Sequence, residues 1–351
     1  MHPFRKLLHV SLGKATTLES ALSPVMWSRL YKMARQQTLV GILNDGLHRL
    51  PEDQLPPEGL FTQWDKSTEK IERIYHLHER HITELEELLQ RLGLHGCILK
   101  GTGLAHLYPN PGRRTCGDID VWIKGKRDAI LEVFDEAEFP IYDIIYQECK
   151  VGIFLDTEVE VHFHPCKMYN PFLNARLQRF FEKNSPIRDD VPLTFPDARF
   201  NAVYCMSHMF RHYLEGGIGL RQFLDYYYIL KELSPEDRKS VMRTLKRLGM
   251  GRFTASVMKL LQFNFLLEDE YLLCPPDNKY GKKLVQDVIS MGNFGVLDKR
   301  NYTYQGETKW ARFRRKNRRV FSNFWSYPRE VFWSPFARVS QHVWRRFKGY
   351  L

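Results

Sequence analysis

The sequence predicts an α+β fold, a small mixed-sheet core flanked by N-terminal helices and a C-terminal helical region. Three observations predict it. Residues 25–47 and 67–92 carry apolar side chains at helical spacing. Between 93 and 165 the pattern changes to short apolar runs broken by glycines, with strict alternation over 158–164. From 197 onward the helical spacing resumes. The expected divisions are 1–92, 93–195, 196–300 and 301–351, the last a basic aromatic tail.

Ser23 is placed as an N-cap and Pro24 as the first helical residue. A Ser hydroxyl accepts an early backbone N–H, and proline lacks a donor that would go unpaired there. The spacing predicts one helix over 25–47. Pro51, Pro56 and Pro57 mark a linker. A long amphipathic helix is expected over 67–92, capped by Asp65 or Ser67, with a stripe of Ile71, Ile74, Ile82, Leu85, Leu88, Leu89 and Leu92. His76, His78 and His81 fall within it and are read as solvated-face residues. Gly96-Cys-Ile-Leu-Lys reads as a strand, Gly101-Thr102-Gly103 as a turn into a short helix, 118–123 as a buried strand and 126–138 as a helix. Residues 142–148 and 151–155 read as two further strands. Over 158–164, Val159, Val161 and Phe163 face one way, while Glu158, Glu160, His162 and His164 face the other. Helices are expected over 197–233 with a break at Gly216-Gly-Ile-Gly, from Ser234 to Leu248, and over 253–267.

Composition narrows the function classes. With 351 residues, 43% hydrophobic and 26% charged, the chain can bury a sizeable core, and extended disorder is excluded. No apolar run approaches a membrane span, and Met1-His-Pro-Phe-Arg-Lys lacks the apolar stretch of a signal peptide. Six cysteines lie scattered without a Cys-x-x-Cys pair, so neither a zinc ribbon nor a disulfide framework is indicated and a reducing cytoplasm is expected. The net charge of +11 is local: residues 309–351 hold twelve Lys/Arg and one acidic residue, Glu330. The other 40 basic and 40 acidic residues cancel. The basic balance is therefore no sign that the body grips nucleic acid.

The chemistry concentrates between Leu99 and Val121. Asp118 and Asp120 flank one apolar residue on a strand, so their carboxylates share a face. Two such carboxylates repel unless a cation lies between them, and hard oxygen ligands suit Mg²⁺. Upstream, Gly101 and Thr102 form a turn whose backbone N–H groups suit phosphate oxygens, with Lys100 at its edge. Downstream, Glu160 offers a third carboxylate. This combination suits phosphoryl or nucleotidyl transfer.

Gly101-Thr102, then Gly117-Asp118-Ile119-Asp120, then an acidic strand residue resemble the DNA polymerase beta-like nucleotidyltransferase superfamily. More narrowly, Leu99-Lys100-Gly101, Leu104-Ala105, Tyr108-Pro109, Arg114, Gly117-Asp-Ile-Asp-Val, Glu160-Val-His162 and Leu220-Arg-Gln-Phe-Leu-Asp225 resemble uncharacterised bacterial nucleotidyltransferases with a Lys-Gly…Arg-x-x-Gly-Asp-Ile-Asp signature. The resemblance implies a nucleotidyltransferase core and transfer of an NMP from an NTP, ATP among them, to a hydroxyl acceptor. It implies that Gly101 and Thr102 contact the β- and γ-phosphates, that Asp118 and Asp120 bind two Mg²⁺ (or Mn²⁺) ions, and that Glu160 completes the metal site. Glu158 and Asp156 stand as alternatives for the third carboxylate.

Other candidates carry two readings each. Arg114 contacts a triphosphate or pairs with a carboxylate. Lys100, with Gly117, belongs to the nucleotide site or is solvated at a strand end. His162 lies near substrate or bonds across strands. His208 and His212 are four apart on a helix, without the glutamate of a zinc protease, and are structural or substrate-lining. Arg221 and Asp225 form a helix ion pair or, by the resemblance, line the acceptor pocket. In the tail, Trp333, Phe336, Val343, Trp344 and Phe347 fall near one face with arginines elsewhere. That pattern fits packing on the body, a membrane surface, or nucleic acid. The acceptor is a small molecule, an RNA or a protein. The competing function classes are a toxin-like transferase acting on tRNA or protein, and a non-catalytic nucleotide-binding or interaction module.

Overall fold

A computed structural model of the chain describes residues 2–295, 297 and 307–350. Four helices precede the sheet: α1 (His2–Ser11), α2 (Pro24–Gln36), α3 (Val40–Leu47) and α4 (Glu58–Arg91). The strands are β1 (Gly96–Leu99), β2 (Ile119–Ile123), β3 (Ile141–Tyr142), β4 (Glu148–Val151), β5 (Val159–His162) and β6 (Leu193–Thr194). Between them lie α5 (Gly101–Ala105), α6 (Arg127–Glu136) and α7 (Pro171–Lys183). Then come α8 (Ala198–Glu215), α9 (Leu220–Glu232), α10 (Pro235–Arg247), α11 (Gly251–Phe265) and α12 (Asn278–Met291). The last three are α13 (Lys309–Phe321), α14 (Pro328–Val331) and α15 (Ser334–Phe347). The class is the expected one, a mixed sheet with helices on both sides in sequence. The expected boundary at 300/301 lies outside the described residues.

The strand order is β3-β4-β5-β2-β1-β6. β2 runs parallel to β5 and antiparallel to β1, β6 is parallel to β1, and the β3–β4–β5 edge is antiparallel. Alternation decides which face each side chain takes. Ile98, Val121, Val159 and Val161 share one core with Leu85, Leu88 and Leu89 of α4 and Phe134 of α6. Leu99 and Trp122 point the other way, into a second core with Phe181, Phe200 and Tyr204. Asp120, Glu160 and His162 therefore belong to the face that looks toward α8.

The second core also joins the chain's ends. Phe4, Leu7 and Leu8 of α1 share it with Phe253 and Phe265 of α11, and His9 Nε2 lies 3.1 Å from the Asn264 carbonyl. In the tail, the buried Glu330 carboxylate accepts the backbone N–H groups of Tyr169 and Asn170, and Asn170 Nδ2 donates to the Arg329 carbonyl at 3.0 Å.

Several expectations need correction. Ser23 caps α2 by accepting from Met26 N at 3.3 Å, but the helix does not run to 47. It breaks at residues 37–39, where Thr38 takes φ +53°. α4 starts at Glu58, directly after the Pro56-Pro57 break, so Asp65 and Ser67 lie inside it and cap nothing. Asp65 instead accepts from Asn44 Nδ2 at 3.0 Å. The strands expected over 142–148 and 151–155 shorten into a hairpin of β3 and β4, turned where Ile145 N donates to Glu148 O at 2.9 Å. His78 and His81 are buried rather than solvated: Thr102 lies against His78, and residues 154–157 fold over His81. Phe154 stacks on His81 at 3.9 Å, and Thr157 Oγ1 lies 2.9 Å from its Nδ1. α1, α7, α12, α13, α14 and β6 had no counterpart in the expected elements.

Candidate active site

The site grows from the end of β1. After Leu99 the chain reverses through Lys100 at φ +47° and Gly101 at φ +44°. A Cβ on residue 101 would lie 3.3 Å from the Asp118 carbonyl, so glycine lets this turn press against the approach to β2. The register then pairs Leu99 with Asp120 and Asp120 with Glu160. Same-face neighbours on adjacent strands stand about 5 Å apart at Cβ, so the two carboxylates are side by side. Ligand oxygens of Asp118, Glu158 and Glu160 lie within 4.8 Å of one another, as do ligand atoms of Asp120, Glu160 and His162. Glu160 belongs to both groups.

Cations hold this negative charge. Asp120 Oδ1 accepts from Lys100 Nζ at 2.9 Å and from His162 Nε2 at 2.8 Å. His162 Nδ1 lies 3.4 Å from Glu148 Oε2, an ion contact rather than a hydrogen bond. Burial alone would raise the pKa of Asp120, but Lys100 and His162 outweigh it and hold the group well below the usual carboxylate range. Burial opposes charge on His162, yet the Asp120 hydrogen bond and the Glu148 and Asp120 charges raise its pKa. Asp118 is raised by Asp120 first and burial second. Burial, then the charges of Asp120, Glu148 and Asp118, push Glu160 up to about 7. The carboxylates thus repel one another despite Lys100. Glu160, shared by the two groups, with Asp118 in one and Asp120 in the other, gives an acidic, oxygen-rich set of the kind that suits a hard divalent cation.

A cavity of about 330 Å³ opens between this face and helices α8 and α9. Lys100, Gly101, Gly117, Asp118, Asp120, Glu160 and His162 line it from the sheet side. Arg114, His208, His212, Arg221 and Asp225 also line it. Of the alternatives for the third carboxylate, Glu158 is ion-paired with Lys150 at 2.8 Å and Asp156 lies 3.5 Å from His81 Nε2, both outside the cavity lining.

Two predicted nucleotide contacts are placed differently. The Thr102 side chain is outside the cavity lining, its hydroxyl 3.4 Å from His78 Nδ1 and 3.6 Å from Cys116 Sγ. Helix α5 turns it toward α4. Arg114 takes the carboxylate-pair reading. Its Nε and Nη2 donate to Asp225 Oδ1 and Oδ2, each at 2.8 Å, and Tyr108 Oη donates to Oδ1 at 2.6 Å. The guanidinium fork is thereby occupied. Arg221 does not pair with Asp225; its Nη1 donates to the Thr115 carbonyl. Arg114 and Arg221 together tie the 114–117 segment, and so Asp118, to α9. The His208 and His212 rings are 4.2 Å apart, and burial lowers both pKa values, that of His212 to about 4.

Sequence reasoning missed one wall. Gln147, Glu148, Arg211 and Glu215 also line the cavity. Arg211 Nε donates to Glu215 Oε1 at 3.1 Å and Nη1 to Gln147 Oε1, while Tyr169 Oη donates to Glu215 at 2.7 Å. A signal was present: 208, 211, 212 and 215 share one helix face, so the histidines announced their neighbours.

Residues 23–265 match the family model described as uncharacterised nucleotidyltransferase. No curated protein matches the chain. The family match spans well over half of the sequence, and the chain therefore belongs to this family of uncharacterised nucleotidyltransferases.

Proposed function

We propose that the chain is a metal-dependent nucleotidyltransferase of the DNA polymerase beta-like superfamily, moving an NMP from an NTP to a hydroxyl acceptor. The observation that carries the reading is the convergence of Asp118, Asp120 and Glu160 beside the Lys100-Gly101 turn in one cavity. Mg²⁺ held by the three carboxylates would supply charge neutralisation to the triphosphate and acidify the acceptor hydroxyl.

The chain's own groups do the rest. The Gly101 turn presents backbone N–H groups to phosphate oxygens. Lys100 supplies a fixed positive charge beside them. His162 fixes the orientation of Asp120 through its Nε2–H. The acceptor oxygen attacks the α-phosphorus, the α–β anhydride bond breaks, and pyrophosphate leaves. Glu160, among the carboxylates that line the cavity, is the group placed to take the acceptor proton. The wall of His208, Arg211, His212 and Glu215 faces the space left for the acceptor.

The test is incubation with each labelled NTP and a cell lysate, following label transfer and pyrophosphate release. Activity is expected with Mg²⁺ or Mn²⁺, none with EDTA, and a loss of at least about 100-fold in Asp118→Asn, the scale of removing one transition-state charge contact. Pyrophosphate release unaffected by chelation and by Asp118→Asn would sink the reading.

A further inference from the structure

We propose that the outer face of α15 docks on a bilayer surface bearing anionic headgroups. The inference is independent of the nucleotidyl-transfer reading, and its residues lie beyond the 23–265 match.

Helix α15 has two adjoining apolar faces, and among the described residues only one packs on the rest of the chain. On the inner face, Trp344 meets Tyr146 edge-on at 5.8 Å, with Arg127 over its ring at 4.5 Å. Trp333 meets Phe172 at 6.3 Å, and Gln341 Oε1 accepts from Lys167 Nζ at 2.8 Å. The sequence grouping therefore divides: Phe336 stays with Trp333, its ring 5.8 Å away, and lines a groove with Trp333 and Trp344, whereas Val343 and Phe347 turn away from the body. The outer face stands in water: Phe332 is 53% exposed, Phe336 57%, Val339 52%, Val343 44% and Phe347 88%. These positions step by four, three, four and four residues, so they form one stripe. Phe332 stands in the turn before α15, and from Phe336 to Phe347 the stripe runs roughly 16 Å along the axis at the helical rise. Phe172, 70% exposed beside Trp333, widens it onto α7. Monomers rarely leave a continuous apolar stripe of this kind in water.

Charge selects the occupant. Arg346 lies beside the stripe, while Arg345 points farther round the helix and donates from Nη2 to the Tyr350 carbonyl; residues 309–351 carry the whole +11 of the chain. A second copy would set two strongly positive segments against each other. Single-stranded RNA stacks its bases on planar rings, whereas Val339 and Val343 interrupt the rings here. An anionic bilayer accepts both features: apolar side chains enter the headgroup boundary and arginines meet the phosphates. Among the described residues no helix is long and apolar enough to cross a membrane, so the contact is with the surface.

The full-length chain is to be sedimented with phosphatidylcholine vesicles, with and without about one-third phosphatidylglycerol. Binding is expected to the mixed vesicles and to be weak to phosphatidylcholine alone. Phe336→Ser/Phe347→Ser is expected to lower partitioning at least about tenfold, because two large side chains leave the boundary. Both positions are exposed, so the variant's urea midpoint should equal that of the parent. Arg346→Glu should weaken binding only to the anionic vesicles. Failure to bind the mixed vesicles, or equal binding by the double serine variant, overturns the proposal. So does a dimer, or retention of single-stranded RNA, that the double variant abolishes while vesicle binding is absent.

Discussion

Replacing Asp225 by asparagine tests how the catalytic face is fastened to the helical region. The native carboxylate accepts three bonds, at 2.8, 2.8 and 2.6 Å, from Arg114 and Tyr108. The side chains of Arg114 and Asp225 are 3% and 6% exposed. Asparagine keeps one acceptor oxygen, turns an N–H₂ toward a guanidinium N–H, and leaves the arginine charge buried without a counter-ion. Removing one partner of a buried ion pair costs about 3–5 kcal/mol, far above the ~0–1 kcal/mol of an exposed pair. Urea unfolding followed by fluorescence of the buried Trp27 and Trp64 is the assay. Arg114→Met/Asp225→Leu should recover at least half of the loss, because an apolar pair has no charge to strand. The pH dependence has a defined sign. Burial opposes ionisation of Asp225, but Arg114 outweighs it and lowers the folded-state pKa. The stability from this pair is therefore present above the unfolded-state value near ~4 and lost as pH falls through the lower folded value. Asp225→Asn should flatten that acid limb. A loss below about 1 kcal/mol, or a double variant no better than the single, would refute the clamp.

Three further outcomes follow from the same electrostatics. In Lys100→Met, Asp118 and Asp120 lose the cation that lowers them, so the acid limb of Mg²⁺ binding, read by calorimetry across pH, should move up by about one to three units; no movement would remove Lys100 from the site. Mg²⁺ at a hundred times its dissociation constant should stabilise the parent by about 2.7 kcal/mol in thermal unfolding, while Asp118→Asn should show little of this gain. Burial pushes Glu330 up to about 7, so its contribution to tail docking is full below its unfolded pKa near ~4.3 and lost as pH rises toward 7. Limited proteolysis between pH 5 and 8 should therefore cut the tail faster at the higher pH, and Glu330→Gln should remove that slope.

What the sequence disclosed and what it hid divide along sequence separation. The alternation of Val159, Glu160, Val161 and His162 needs only neighbours two residues apart, and the strand obeys it. Asp118 and Asp120 are equally local. Thr102 failed because its orientation depends on distant neighbours: its hydroxyl sits between His78 of α4, 24 residues earlier, and the Cys116 thiol, 14 residues later. The Arg114–Asp225 pair spans 111 residues, and periodicity within either segment says nothing about the other. His81 looked solvated because helical spacing of α4 fixes its own faces only. The cover supplied by Phe154 and Thr157 comes from a loop whose path no local rule dictates. The tail's inner and outer faces were merged for the same reason, since spacing measures apolarity and not which side meets the body.

The strained turn at 100–101 and the crowded carboxylates are two sides of one construction. A lysine at positive φ costs on the order of 1–3 kcal/mol, and nothing in a plain strand-to-helix turn requires it, since glycine would take the same angles freely. What glycine lacks is the ammonium. Lys100 Nζ reaches Asp120 at 2.9 Å only because the chain reverses at residue 100 and aims the side chain back along the face of β2. The register Leu99–Asp120–Glu160 then sets that charge beside the acidic group. A slip of one residue in β2 would send Asp120 to the apolar face and leave the ammonium without its partner, and a slip in β5 would take Glu160 from beside them. The strain thus persists because the contact offsets it, and the contact exists only in the register that also assembles the site. Phosphate-facing turn, fixed cation and carboxylates are consequently not three features that happen to adjoin. They follow from one backbone reversal at the end of β1 and one strand register beside it.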